Sequence, residues 1–145
     1  MKLKMFIALA SLIAISYSVR SDDAANDLKK MEGTWQLTSG ETGQGPFPAD
    51  LIKGITLEVK DGKYTVTTPT GVDKGTVKVG TAGKLKTLDV TSTEGANKGK
   101  TFLAIYEWDG ETLKVCYDLS GGKNRPTEFK TKADAPLFLA AYKRK

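Results

Sequence analysis

The chain has 145 residues, with 22 Lys+Arg against 17 Asp+Glu (formal net charge +5), no histidine and a single cysteine. The missing histidine excludes Ser-His-Asp and Cys-His nucleophile systems and every histidine-containing metal site, and one cysteine excludes both an intramolecular disulfide and an all-cysteine zinc site. Basic residues are interleaved with acids along almost every segment, the pattern of solvated strand faces; nucleic-acid binding calls for a basic stripe with stacking aromatics.

The chain opens with MKLKMFIALASLIAISYS: two lysines, an apolar run from Met5 to Ile15, and Ser16-Tyr17-Ser18 with small residues at the −3 and −1 positions. Too short for the roughly 20 apolar residues of a spanning helix, the segment reads as a signal peptide over residues 1–18, cleaved after Ser18. A single exported domain over 19–145 follows, expected to be periplasmic or extracellular, monomeric, and without stable membrane insertion or nucleic-acid partners. Ser21 to Met31, with a capping residue, early acids and late lysines, predicts a short helix.

Eight period-two runs come next: Thr34–Glu41, Ile55–Lys60, Lys63–Thr68, Val72–Val79, Lys86–Thr93, Thr101–Trp108, Glu111–Tyr117 and Leu137–Arg144. Asp61-Gly62 and Asp109-Gly110 each separate two such runs, and both dipeptides suit a two-residue type I′ turn. Placed there, the second turn pairs Trp108 with Glu111, Tyr106 with Leu113, Ala104 with Val115 and Phe102 with Tyr117, and directly opposed residues share a face. Eight short antiparallel strands with one wet side close most economically into an up-and-down barrel, which leaves no exposed edge. The expected class is therefore all-β, an eight-stranded antiparallel barrel with a short N-terminal helix.

Two connections exceed what hairpins need, residues 43–54 and 118–136. Such loops carry either function or a strap. The second is read with a ninth short strand around Thr127–Thr131. Within it, Arg125 either pairs with an acid such as Glu107 or Asp118 or acts as a gate that contacts an acidic ligand.

Glu32-Gly33-Thr34-Trp35 has the Gly-x-Trp arrangement of lipocalin-like (calycin) first strands. The resemblance implies that Trp35 plugs one end of a barrel while Arg144 or Lys143 of the last strand stacks over it. More widely, LKKMEGTWQL, LIKGITLEVKDGKYTV, GANKGKTFLAIYEWDGETLKVCYD and RPTEF resemble an uncharacterised exported domain family abundant in planctomycete-type bacteria. That resemblance implies a lipocalin-like barrel and no established activity.

An eight-stranded barrel is either filled by side chains or wide enough for one small ligand. Tyr64, Phe102, Tyr106, Leu113 and Tyr117 are the candidate cavity face, Arg125 the candidate gate or anion contact, and Gly75 and Ala104 either leave space or fit around larger rings. No catalytic residue, metal ligand or cofactor is expected. The favoured partner is a small hydrophobic or amphipathic ligand; the alternative is a solid-cored envelope domain with a protein partner.

Overall fold

The computed structural model describes residues 21–145, so the signal peptide read over 1–18 lies outside the described residues. Helix α1 (Ser21–Met31) is followed by β1 (Gly33–Thr42), β2 (Gly45–Pro46), α2 (Ala49–Lys53), β3 (Thr56–Lys60), β4 (Lys63–Thr68), β5 (Gly71–Ala82), β6 (Leu85–Glu94), β7 (Thr101–Asp109), β8 (Thr112–Asp118) and β9 (Leu137–Arg144). Strands β1 and β3 to β9 pair each with the next, all antiparallel, and β1 pairs with β9 to close an eight-stranded barrel; β2 only folds back on the end of β1. The expected all-β barrel with a short N-terminal helix is the fold, with α2 and β2 added inside the first long loop. Among the described residues no helix is long and apolar enough to cross a membrane.

The barrel has two unlike poles. At one, α1 packs toward β5 while its last turn meets the start of β1 and the end of β9. Trp35 is 1% exposed, donates its Nε1–H to the Met31 carbonyl at 2.8 Å, and carries the Arg144 guanidinium 4.3 Å above its ring. Arg144 also donates to the Lys30 and Glu32 carbonyls, at 2.6 Å each, and so ties the end of α1 to the last strand. Gly33 is required here: its φ is +124°, and a Cβ on it would stand 2.7 Å from Arg144 Nη1. The glycine and the tryptophan of Gly-x-Trp thus serve one packing unit.

Two details of the hairpins depart from expectation. Asp61 and Gly62 both take positive φ (52° and 73°) between paired Lys60 and Lys63, as a type I′ turn demands. In the β7–β8 hairpin Asp109 instead pairs with Thr112 and lies 3.3 Å from Lys114, and the turn is made by Gly110 and Glu111, with positive φ on Gly110 only. Trp108 therefore faces Leu113, Tyr106 faces Val115 and Ala104 faces Tyr117. Because pairing moves by two residues, every side chain keeps its face.

Residues 127–131 do not form a ninth strand. β8 already pairs with β7 and β9, so the closed barrel has no edge for them to join. The segment crosses the outside of β6 to β8 as a strap and buries Ile105 and Cys116 (0% exposed each), which the bare hairpin presents to solvent.

Candidate functional site

The barrel interior is not solid. It holds a cavity of about 370 Å³ that reaches Met31 of α1 at its inner end and opens at the far pole, between the loops joining β1 to β3, β4 to β5, β6 to β7 and β8 to β9. Its walls are the inward positions of the alternating strands: Leu57 and Val59, Tyr64 and Val66, Val77, Leu88 and Val90, Phe102, Leu113 and Val115. The mouth is framed by aromatic rings. Phe138 stacks on Phe47 (centroids 5.1 Å apart) and on Tyr117 (5.7 Å), so the loop carrying α2 is joined to β8 and β9 across the opening. Gln36 supports this side by donating from Nε2 to the Ile52 and Ile55 carbonyls at 3.0 and 3.1 Å. Val72 and Leu119, the two exposed large apolar side chains among the described residues, belong to the same rim.

Besides Thr68 and Asn97, two hydrogen-bonded polar clusters interrupt the apolar lining. The hydroxyls of Tyr117 and Tyr142 lie 3.2 Å apart, and burial raises both phenols, Tyr142 to about 12 and Tyr117 well above its usual range. Nearer the mouth, Asp73 accepts from the Tyr64 hydroxyl at 2.8 Å on one oxygen and from Ser92 Oγ at 2.5 Å on the other. Burial, and then this bond to Asp73, push the Tyr64 phenol up.

The predicted site residues divide between three places. Tyr64, Phe102, Leu113 and Tyr117 line the cavity together. Tyr106 does not: its ring meets Trp108 edge-on at the α1 pole, and its hydroxyl donates to Asp27 at 2.6 Å. Lys86 Nζ reaches the same carboxylate at 3.0 Å. Burial raises the Asp27 pKa, but the hydrogen bonds from Tyr106 and Lys86 and the Lys86 charge outweigh it and hold the carboxyl below its ordinary value. Burial and Asp27 together raise the Tyr106 phenol. Tyr106 is thus part of the structural plug, because its strand position is inward but one turn of the barrel too close to α1.

Arg125 is not at the mouth either. It sits in the strap and donates to Asp89 at 2.5 Å and to the Ala104 carbonyl at 2.8 Å, so its acid partner is neither Glu107 nor Asp118. Asp89 faces outward from β6, under the strap, which is why it meets Arg125. Pro126 is buried and Phe129 half-buried against the barrel wall. Arg125 therefore pins the strap, and it touches a separate outer hollow of about 200 Å³, not the barrel cavity. Gly75 leaves no free space: a Cβ there would lie 1.8 Å from the Thr91 carbonyl oxygen and 2.7 Å from the Tyr64 ring, which occupies that room.

Sequence reasoning passed over Asp73, Ser92, Tyr142, Phe47 and Phe138. Parity held the signal for three of them, since Asp73 shares its face with Gly75 and Val77, Phe138 and Tyr142 share theirs with Ala140, and β9 lies between β8 and β1. No model of a known protein family matches the chain, and no curated protein matches its sequence.

Proposed function

We propose that this protein is an exported binding module that holds one small apolar or amphipathic molecule inside its barrel, with binding and not catalysis as its role. The observation that carries the reading is the cavity: at about 370 Å³ it falls within the range of small-molecule sites, roughly 300–1,000 Å³, and has the mostly apolar wall with few polar points that such sites share. A chain without histidine, and with the Tyr64, Asp73 and Ser92 groups and the Tyr117 and Tyr142 hydroxyls bonded to one another, favours binding over turnover. Membership of the lipocalin-like exported family that the chain resembles is part of the same proposal.

The test uses 1-decanol, a neutral probe whose chain suits the volume. Wild type should show a saturable rise in melting temperature, worth about 2.7 kcal/mol at a hundredfold excess over Kd. Val77→Trp, which places an indole in the cavity, should abolish the shift while remaining folded. A wild type that responds to no concentration of 1-decanol, or a Val77→Trp variant that responds equally, refutes the cavity as the site and favours a protein-facing rim around Val72 and Leu119.

A further inference from the structure

The geometry points to a polarity rule for the ligand, which rests on the cavity reading above: Asp73 selects molecules whose polar end donates hydrogen bonds or carries positive charge, and disfavours carboxylates.

The register of β5 and β6 decides which carboxylate reaches the cavity. β5 and β6 pair Lys74 with Glu94 but Gly75 with Ser92, so Thr93 is an extra residue in β6. A bulge of this kind re-aims the side chains that flank it. Without it Glu94 would follow Ser92 onto the inner face; with it Glu94 lies opposite outward Lys74 and is exposed. Asp73 is left as the carboxylate at the inner rim, and Gly75 lets the Tyr64 ring lie flat beside it. Tyr64 and Ser92 then fix the carboxylate by one hydrogen bond to each oxygen. A carboxylate offers about four acceptor positions, so capacity for a ligand donor remains on both oxygens.

Within the cavity lining the charge is one-sided. Among the described residues, those lining the cavity include no lysine and no arginine, and Asp73 is the lining residue with a formal charge at neutral pH. The described ion pairs join Lys86 to Asp27, Lys114 to Asp109 and Arg125 to Asp89, and Asp73 takes part in none. A negative charge at the mouth of an apolar cavity is weakly screened, so an ammonium or other donor group is drawn to it and a second carboxylate is repelled. Asn97, also at the lining, adds an amide that either donates or accepts and does not reverse this sign.

The experiment compares three ligands of one chain length, decylammonium, 1-decanol and decanoate, by calorimetric titration of the exported protein at neutral pH and below their aggregation concentrations. Wild type should bind decylammonium at least about tenfold more tightly than decanoate, with 1-decanol between them, since tenfold requires only a modest interaction difference. Asp73→Asn should erase the difference between the charged ligands. Ser92→Ala, which retains the charge, should preserve the order. Decanoate binding as tight as decylammonium in wild type overturns the polarity rule and leaves the cavity reading intact, as does an unchanged order in Asp73→Asn. Failure of all three ligands to bind wild type overturns both. The wild-type order is decisive by itself should Asp73→Asn not fold.

Discussion

Trp35→Ala should cost this barrel a large part of its stability, and the contacts say how much. The indole is 1% exposed, so truncation carries the cost of emptying a buried aromatic site, about 3–5 kcal/mol. It also deletes the hydrogen bond to the Met31 carbonyl, about 1 kcal/mol, and the stacking partner of Arg144, about 0.5–2 kcal/mol. These contributions overlap, and together they amount to about 5 kcal/mol against the 5–15 kcal/mol expected of a natural domain. For a chain of this size that corresponds to a fall of about 15–25 °C in Tm. Trp35→Phe keeps an aromatic ring under Arg144 and loses mainly the N–H and part of the volume, so its cost should be less than half as large. Thermal and urea unfolding followed by circular dichroism measure both. A Trp35→Ala protein within about 5 °C of wild type, or a Phe variant as damaged as the Ala variant, would refute the account of the α1 pole as a packed and hydrogen-bonded plug.

Alkaline pH should unfold the protein through its phenols. Tyr64, Tyr106, Tyr117 and Tyr142 all have pKa values raised in the fold, so their contribution to stability is fully present below pH 10 and is lost as pH rises through about 12 for Tyr142 and beyond for the rest. Tyrosinate absorbance should therefore appear together with loss of circular dichroism; reversible ionisation near pH 10 with the barrel intact would contradict it. Arg125→Ala should loosen the strap and expose Cys116, whose thiol is raised by burial and lies 3.8 Å from the Lys130 carbonyl oxygen. Losing the Arg125 hydrogen bonds, about 1.5 kcal/mol, predicts roughly tenfold faster reaction with a thiol reagent, and an unchanged rate would show that the strap is held otherwise.

The barrel was legible because its strands alternate cleanly, a direct result of having one wet face and one buried face. What stayed hidden depended on contacts distant in sequence. Asp109-Gly110 and Asp61-Gly62 are identical dipeptides, yet Asp109 remains in the ladder beside Lys114, and local turn chemistry alone does not distinguish the two. Thr127–Thr131 has strand-like composition, but pairing also needs a free edge, and closure removes it. Tyr106 and Tyr117 have the same inward parity; only the position of α1 assigns one to the plug and the other to the cavity. Asp73 on an inward face reads as a break in pattern until the bulge at Thr93 and the Tyr64 hydroxyl explain it. Of the two readings of Arg125, gate or acid partner, its bond to Asp89 follows the second, and the choice of Asp89 over Glu107 or Asp118 depends on the path of the strap.

The placement of α1 and β9 also gives the molecule a direction. The chain enters the barrel through α1 and leaves it along β9 at the same pole, where Trp35 pairs with Arg144, while among the described residues the mouth is formed by internal loops. A tag, linker or surface attachment added at either end of residues 21–145 is therefore delivered to the plugged side. An immobilised barrel would present its opening outward, and the rim loops can be varied or labelled without disturbing the attachment.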